Sequence, residues 1–344
     1  MGNLPAERLN SYSPPFTHVA VDCFGPVETS AGRNRVVKRY GVLFTCLVTR
    51  AVHLELAESL SAEDFLLVFR RFIGLYGKPA SVHSDNGTNF VGAERELNEL
   101  ILLLNDDPKL VKFRTEKLID WHFQPPRAPH FGGAHESLVR STKRALYRAL
   151  DLEKAGLRYP TDEMMRTLLA EIAGFLNARP LTYASSDPED FRPLTPNDFL
   201  NRPPTSDLLP GSFDDALPRE RFRYVQRMAQ LFWDLWTKLY LPSLVPRKKW
   251  QSAQQNLSVG DVVMMLDPNQ PRGQWKIGHV SQVYPGDDGL VRVVKVQTED
   301  GVYSRAIHRL CLLERAPRSS PMPSPKKLRS TLESPLSKQL IVFI

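Results

Sequence analysis

The sequence predicts an α/β protein in which a mixed β-sheet is flanked by helices and is followed by a helical linker and a small SH3-like β-barrel. Three observations support this fold class. Short β-rich runs fill much of residues 16–57 and are close enough to pair as a meander. Runs with strand and helix periodicity then alternate up to residue 150, as in sheets covered by helices. Four short apolar runs after residue 256 are typical of a small barrel.

The first domain begins with strands. The three β-rich runs are FTHVAVD (16–22), RYGVLFTCLV (39–48) and AVHLELA (51–57). Only Thr49 and Arg50 separate the last two, so we expect an antiparallel meander. A helix follows in SAEDFLLVFRRFIGLYG, because Ser61 suits the N-cap and Gly77 ends the apolar repeat.

Strands and helices then alternate. We expect strands at ASVHSD (80–85) and IDWHFQPP (119–126), and helices at 93–104, 133–150 and 161–177. The proline-rich residues 179–204 predict an irregular arm, because proline interrupts helices. The next helix, 219–241, has an apolar stripe at three- and four-residue steps, which predicts packing on neighbouring elements or on a second copy. The stripe consists of Phe222, Val225, Met228, Leu231, Phe232, Leu235, Trp236 and Leu239.

These elements predict five segments along the chain. Residues 1–15 form an extended lead-in, 16–200 the α/β core, 201–253 a linker with an amphipathic helix, and 254–314 the barrel. Residues 315–344 are rich in Ser, Pro and Lys and contain too few apolar side chains for a core. This last segment is therefore predicted to be a disordered basic tail.

Composition excludes several classes of protein. The 344 residues carry a formal net charge of +7, which favours a polyanionic partner without requiring one. The three cysteines have no CxxC spacing, so the sequence encodes neither a disulfide framework nor a zinc knuckle. No apolar run approaches the length of a membrane span, and the polar beginning lacks a signal-peptide core. We therefore expect a protein that is neither secreted nor membrane-bound.

Three carboxylates occupy positions where a strand ends or a helix begins. Asp22 follows the apolar run VAV, Asp85 ends the strand ASVHSD, and Glu136 lies in the first turn of the helix after a glycine pair. Hard oxygen ligands without His or Cys at ligand spacing suit Mg²⁺ or Mn²⁺. Two such ions would support in-line phosphoryl transfer. Taken singly, each residue also fits a structural role, as a turn aspartate or a favourable helix N-terminal charge.

The helix that follows Glu136 adds positive charge. At 100° per residue, Arg140, Lys143, Arg144 and Tyr147 are predicted on the side of Glu136, and apolar residues on the other. A basic face that begins at a metal site is what a DNA backbone would require. A solvated charged face with an i, i+4 pair between Glu136 and Arg140 is the alternative.

Several motifs resemble those of a known family. VDCFGP, SDNGTNF and PPRAPHFGGAHESLVRSTKRAL resemble, in order and context, the Asp, Asp and Glu blocks of the retroviral-type integrase core. Together with the C-terminal segments FWDLWTKLYLPSLVPRKKW and VGDVVMMLDPNQPRGQWKIGHVSQVYP, they are most similar to integrases of Pao/BEL-type LTR retrotransposons. This resemblance implies an RNase H-like fold for residues 16–200, as the catalytic core of the integrase.

The resemblance also implies site residues, a cofactor and partners. Asp22, Asp85 and Glu136 would hold two Mg²⁺ or Mn²⁺ ions and catalyse 3′-end processing and strand transfer. Residues Arg140, Lys143, Arg144, Asn86 and Asn89 would contact DNA or shape the site. The partners would be element ends and target DNA, bound by a homo-oligomer. The protein would reach the nucleus through a cytoplasmic particle.

One other class of function remains open from the sequence. A host-captured or fragmentary integrase could bind DNA or other partners without joining activity. The family's paired His and paired Cys of the N-terminal zinc-binding domain are absent from these residues, which favours this alternative. The complete set of three acidic residues favours the enzyme. A nuclease on the same fold would explain the acids but not the helix and barrel downstream.

Overall fold

The computed structural model describes residues 12–32, 35–85, 87–103, 119–123, 133–154, 159–183, 192–202, 221–244, 256–267 and 272–316. Within helices, only the backbone is described at 96–103, 133–137, 152–154 and 241–244. The predicted lead-in up to residue 11 and the predicted tail beyond residue 316 lie outside these ranges. The chain divides into two compact units. The first comprises 1–179, 195–243 and 268–274, and the second comprises 180–194, 244–267 and 275–344.

A five-stranded mixed sheet forms the centre of the first unit. Its strands are β1 (His18–Ser30), β2 (Val36–Cys46), β3 (Val52–Ala57), β4 (Ser81–Ser84) and β5 (Asp120–Phe123). The order across the sheet is β3-β2-β1-β4-β5. The first three strands pair antiparallel, as the predicted meander requires, and β4 and β5 join in parallel. The predicted RNase H-like mixed sheet is therefore confirmed.

Helices α1 (Ala62–Tyr76) and α2 (Thr88–Leu103) cover one face of this sheet. The Ser61 side chain accepts a hydrogen bond from Asp64 N, and Gly77 ends α1 at a φ of 86°, so both predicted caps of α1 are present. Phe65, Phe69 and Phe72 of α1 are at most 1% exposed and form the core with β-strand side chains such as Val19 and Val21. Alternate β1 residues consequently face the other way.

Helix α3 (Gly133–Lys154) contacts the opposite face of β1, where the Tyr147 and Phe24 rings meet edge to face at 6.3 Å. Helix α4 (Asp162–Asn177) is also tied to the sheet. Its N-terminal Asp162 accepts hydrogen bonds from the Thr29 hydroxyl and the Arg39 guanidinium. An acidic first turn opposite a guanidinium suits the positive end of the helix dipole.

The proline-rich segment contains more regular structure than the sequence predicts. Strands β6 (Thr182–Tyr183) and β7 (Pro193–Leu194) pair antiparallel, and a short helix, α5, spans Pro196–Phe199. Thr195 and Asp198 form a capping box at this helix, with Pro at its first position. Proline is compatible with the first turn of a helix because its missing N–H has no intrahelical acceptor there.

Helix α6 (Arg221–Leu244) falls within the first compact unit, although its sequence was assigned to a linker. Its Trp233 ring packs on Phe175 of α4 at 5.8 Å. Four residues of the predicted stripe are buried, namely Val225, Met228, Phe232 and Trp236, whereas Phe222 is 53% exposed. Trp233 and Tyr240 are buried as well, so the buried face overlaps the predicted stripe but extends beyond it.

Besides the pair of β6 and β7, the second unit contains an antiparallel sheet of five strands. They are β8 (Val262–Met265), β9 (Ile277–Pro285), β10 (Val291–Thr298), β11 (Gly301–Ala306) and β12 (Leu310–Glu314), in the order β11-β10-β9-β8-β12. The last predicted strand is thus two strands, separated by the 3-10 turn Ile307–Arg309. Among the described residues, no pairing joins β11 to β12, so the sheet is not closed into a barrel. Across the described ranges, no helix is both long and apolar enough for a bilayer.

Candidate active site

Asp22 and Asp85 lie on neighbouring parallel strands. The pairing of β1 with β4 aligns Val19 with Val82 and Ala20 with His83. Extended by two residues, this register sets Asp22 level with Asp85, which directly follows β4. Parallel neighbours are about 4.8 Å apart, and residues at the same level face the same side of the sheet. The register therefore brings two carboxylates together from positions 63 residues apart in the sequence.

The negative charges of Asp22 and Asp85 both act on the thiol of Cys23. Burial, together with the negative charges of Asp22 and Asp85, raises the pKa of the Cys23 thiol to about 12. Asn89 and Lys143 act in the opposite direction. The thiol is therefore neutral at physiological pH and chemically unreactive, although its neighbours are charged. Sequence reasoning does not single out Cys23, because an isolated cysteine without a CxxC pattern carries no functional signal.

Asp85 has a structural role in addition to the role predicted for it as a metal ligand. Its Oδ1 accepts a hydrogen bond from Gly87 N at 3.0 Å, which forms the turn between β4 and α2. A Cβ on Gly87 would lie 2.7 Å from the Asn89 side chain and 3.0 Å from Asp85 Oδ1. Glycine at position 87 is what allows this close turn. The turn role that the sequence offers for Asp85 is therefore present, and its predicted role as a metal ligand stays a prediction.

Lys143 of α3 reaches Asp22 directly. Its Nζ donates hydrogen bonds to Asp22 Oδ2 at 2.6 Å and to the carbonyl oxygen of Cys23 at 2.8 Å. The side chains are only partly exposed, at 22% for Lys143 and 34% for Asp22. One turn later, Tyr147 packs on Phe24, so α3 is fixed against the face of β1 that carries Asp22.

Glu136 lies in the first turn of α3, and its side chain is outside the described residues. Seven residues separate it from Lys143, which is close to two helical turns. The helical repeat therefore places both positions on the same side of α3, about 10 Å apart along the axis. The prediction that Glu136 completes a group of three acids is not tested by the described side chains.

The predicted basic face of α3 divides into two parts. Arg140 and Arg144 are exposed, and Arg148 continues the same stripe one turn later. Lys143 and Tyr147 are instead half-buried against β1. A helical wheel grouped them because they are close in angle, but it does not show where the sheet lies. The exposed stripe is the part of α3 that is open to a polyanion.

Of the two asparagines predicted to contact DNA, Asn89 lies within the described residues and Asn86 lies outside them. Asn89 is only 7% exposed, and its Nδ2 donates a hydrogen bond to Cys23 Sγ at 3.6 Å. In this structure the amide thus connects the beginning of α2 to β1. Its predicted contact with DNA is not tested.

The residues present fit a divalent cation of the Mg²⁺ type. Asp22 and Asp85 supply hard oxygen ligands, and a cationic nitrogen already contacts Asp22 at 2.6 Å. Among the described side chains, no group of three His, Cys, Asp or Glu residues is close enough to hold a metal. The Glu136 side chain lies outside the described residues, so the predicted set of three ligands stays a prediction.

Comparison with protein families gives one partial match. A family model described as "Family of unknown function (DUF5641)" matches residues 220–313, which span α6 and most of the second unit. No curated protein sequence matches the chain significantly. The matched family carries no assigned activity, so it adds no chemistry to the site.

Solved structures similar to this chain include retroviral integrases. The simian T-cell lymphotropic virus intasome, in complex with PP2A regulatory subunit B56 gamma, is 12% identical, with a TM-score of 0.36. That similarity covers 92% of this chain and 85% of the other. The magnesium complex of the HTLV-2 integrase catalytic core domain, in its trimeric form, is 16% identical over 51% of this chain and 93% of the other, with a TM-score of 0.30. Its dimeric form has a TM-score of 0.29 at 16% identity, over 48% of this chain and 88% of the other.

Proposed function

We propose that this chain is a DNA polynucleotidyl transferase of the integrase type. The observation that carries the proposal is the register of β1 and β4, which sets Asp22 opposite Asp85 at the point where β4 ends. Ligand sites in sheets with parallel strands commonly lie just beyond the carboxyl ends of those strands. Two carboxylates at that point can form part of a site that binds divalent cations and, through them, a phosphate.

The elements around the two aspartates support the same chemistry. Helix α3 is fixed beside Asp22 by Lys143, and Glu136 shares the side of α3 on which Lys143 lies. We propose Asp22, Asp85 and Glu136 as the residues that hold two Mg²⁺ or Mn²⁺ ions. Such ions, when bound, would activate a water or a 3′-hydroxyl and stabilise the leaving oxygen of the phosphodiester.

Other residues of the chain would contribute to the reaction by positioning the aspartates and the phosphate. The Gly87 N–H fixes the carboxylate plane of Asp85 through its bond to Oδ1. Asn89 and the neutral Cys23 thiol connect α2 to β1, and thereby keep Asp22 and Asp85 in register. Lys143 would move from Asp22 to a phosphate oxygen when the acidic residues bind cations, because like charges repel. Positioning of this kind can supply much of the rate enhancement in phosphoryl transfer.

DNA is the proposed substrate and partner. Arg140 and Arg144 are exposed on α3 beyond the predicted position of Glu136, where a phosphate backbone that enters the site would pass. We also propose Lys143, Asn86 and Asn89 as DNA contacts of the assembled complex. Two DNA ends must be joined to one target, so a homo-oligomer and nuclear localisation belong to this proposal.

The finer assignment is to integrases of Pao/BEL-type retrotransposons. Its support is the sequence resemblance in VDCFGP, SDNGTNF and the segment around Glu136. The extent of the matched family, from α6 through the second unit, coincides with the C-terminal segments that carry the rest of this resemblance. The proposed reaction is the trimming of element 3′ ends, followed by their transfer into target DNA.

The Asp85→Asn variant tests the proposal. Asparagine retains an Oδ1 acceptor for Gly87 N–H but not the negative charge, so the turn should persist while cation binding fails. The purified full chain would be incubated with labelled element-end oligonucleotides and Mn²⁺, and joined products would be separated on denaturing gels. We expect joining by the native chain and a loss of at least 100-fold in the variant.

Two controls make this experiment decisive. Asp287→Asn removes an exposed carboxylate of the second unit and should leave joining unchanged. Fluorescence anisotropy should give the same DNA affinity for the native chain and for Asp85→Asn within about threefold. Joining that persists in Asp85→Asn would remove the proposed role of this residue. DNA binding without chemistry in the native chain would favour the captured remnant, and hydrolysis without joining would favour a nuclease.

A further inference from the structure

Strand β11 leaves one edge of the second unit's large sheet open. In the strand order β11-β10-β9-β8-β12, nothing among the described residues pairs with the outer side of β11. The opposite edge differs, since Glu314 of β12 accepts a hydrogen bond from the Thr182 hydroxyl of β6. Proteins commonly protect an open edge with lysine, proline or a bulge. The sequence of β11, GVYSRA, contains neither lysine nor proline, and its register with β10 is regular.

The side chains beside this edge are apolar on both faces of the sheet. On the outer face, the register places Tyr284, Val293 and Ala306 side by side across β9, β10 and β11. Tyr284 and Val293 are each 40% exposed, and Val302 of β11 is 54% exposed. On the inner face, Tyr303 packs against the core of the second unit. A strand added to β11 would therefore meet apolar neighbours on both of its faces.

The chain itself contains a segment with the matching pattern. Residues 339–344, QLIVFI, lie outside the described residues. They carry no charge and are rich in the β-branched and aromatic residues that favour strands. Both sets of alternate residues are apolar apart from Gln339, as a strand with two apolar faces requires. A segment of this composition and an open sheet edge are each prone to aggregate, so pairing one with the other would protect both.

We propose that residues 339–344 pair with the open edge of β11 and extend the sheet by one strand. Backbone hydrogen bonds along the edge supply the affinity in this mode of recognition, and alternate side chains supply the specificity. The alternate side chains would here lie beside Val302 on one face and beside Tyr303 on the other. The pairing does not depend on the proposed transferase activity.

The path of the chain allows this pairing. Ala316, the last described residue, donates its N–H to Oδ1 of Asp261, which directly precedes β8. The position beyond β11 is four strand spacings from β8, which is about 19 Å. Roughly 22 residues lie between Ala316 and Gln339, and a coil of that length spans about 25 Å. The segment can therefore reach the edge within the same unit, at an effective concentration of about 1 mM.

Hydrogen exchange, measured by mass spectrometry on the full chain, tests the pairing. Val342→Asp places a charge in the middle of the segment, and Leu332→Asp places the same charge outside it. With a Kd of about 0.1 mM for the segment, an effective concentration of about 1 mM leaves roughly a tenth of the edges open. The outward amides of residues 301–306 should therefore exchange about tenfold more slowly in the native chain and in Leu332→Asp than in Val342→Asp.

A labelled peptide of sequence SKQLIVFI, added to the full chain, locates the site. Fluorescence anisotropy should show about tenfold tighter binding to Val342→Asp than to the native chain, whose own segment competes for the edge. Val302→Lys, introduced together with Val342→Asp, should weaken peptide binding by about tenfold, because an edge lysine opposes strand addition. Val259→Lys is the matched control and should have no effect. Val302 and Val259 are 54% and 57% exposed, so neither substitution disturbs the core.

A second copy of the chain is the other possible occupant of the edge, and it gives different results. Protection by a second copy would fall as the protein is diluted from about 50 to about 1 µM, and would persist in Val342→Asp. Protection by the chain's own segment does not depend on concentration. Concentration-dependent protection, equal exchange of residues 301–306 in the native chain and Val342→Asp, or equal peptide affinity of these two chains would each overturn the proposal.

Discussion

Lys143 Nζ lies 2.6 Å from Asp22 Oδ2, across 121 residues of sequence. The ammonium neutralises one of the two aspartates that the strand register brings together. It occupies the position where the proposed function requires a divalent cation. Two cations at one carboxylate repel each other, so the lysine and a metal ion compete for Asp22. This competition makes the role of Asp22 measurable without any assay of catalysis.

Lys143→Met should therefore increase the affinity for Mn²⁺. A unit charge about 4 Å from a divalent ion contributes on the order of 2 kcal/mol in a largely solvated setting, which corresponds to roughly a thirtyfold change in Kd. Titration calorimetry with Mn²⁺ on the full chain would measure it. Lys38→Met removes an exposed lysine and serves as the control for net charge. Unchanged or weaker Mn²⁺ binding in Lys143→Met would contradict a cation site at Asp22.

Asn89→Ala should lower stability by about 1–2 kcal/mol, since it removes a buried hydrogen-bonding side chain. The amide is 7% exposed and donates to Cys23 Sγ, so its loss separates the beginning of α2 from β1. Urea unfolding would give the change in free energy, and fluorescence anisotropy the DNA affinity. A variant that loses DNA affinity with no change in unfolding would mean that Asn89 acts as a DNA contact alone.

The sequence was sufficient to predict elements with strong local signals. Helix α1 begins after Ser61 and ends at Gly77 as predicted, because helix capping depends on residues that are near in sequence. The pairing of β2 with β3 was predictable because only a short connection separates them. The sequence alone could not predict that Asp22 and Asp85 lie side by side, because the register between strands that are distant in sequence is set by tertiary packing. The sequence identified both aspartates as strand-end residues, but only the parallel pairing of β1 with β4 shows that they are neighbours.

The two faces of α3 show the same limit of sequence reasoning. Lys143 and Arg140 are close in angle on a helical wheel, yet one contacts Asp22 and the other is exposed. The difference arises from the position of β1, which a wheel does not contain. Likewise, Trp233 is buried in α6 because it meets Phe175, a contact between two helices that are distant in sequence.

The thiols of Cys23 and Cys311 should react slowly. Burial raises the pKa of each to about 12, from an ordinary value of 9.0, so the thiolate fraction at pH 8.5 is on the order of a thousandfold lower than in a free thiol. Iodoacetamide labelling followed by mass spectrometry would measure the rates, with unfolded protein in urea as the reference. Rapid labelling of Cys23 in the folded chain would contradict its burial beside Asp22.

The same pKa shifts predict how stability depends on pH. Between pH 9 and 12 the unfolded chain loses thiol protons that the folded chain retains, so stability should fall as pH rises through this range. Below pH 9 both states keep these protons, and the thiols contribute no slope. Cys23→Ala should show a smaller loss of stability between pH 8 and 10.5 than the native chain does. The comparison isolates the thiol from the lysines and tyrosines, which titrate in both proteins.

Asn177 provides the strongest prediction for stability, because its side chain completes an edge strand. Its Oδ1 accepts from Val52 N at 2.8 Å and its Nδ2 donates to Val52 O at 2.8 Å, and the residue is 1% exposed. Strand β3 is at the edge of the sheet, so the amide pairs with backbone groups that have no strand on that side. Asn177→Ala leaves a buried donor and a buried acceptor without these bonds and should cost about 2–4 kcal/mol in urea unfolding.

Asn177→Asp separates the two bonds. The charged carboxylate keeps the acceptor for Val52 N–H, but it faces the carbonyl oxygen of Val52 and is buried, so this variant should be at least as unstable as Asn177→Ala at pH 7. Burial raises the pKa of such a carboxyl, and its neutral form can donate to the carbonyl again. The loss of stability relative to the native chain should therefore become smaller as pH falls from 7 to 4.5.

Gln282→Ala, which removes an exposed amide, should change stability by less than about 0.5 kcal/mol at either pH. A deficit in Asn177→Asp that does not change with pH would mean that the donor bond to Val52 contributes nothing to the edge of the sheet.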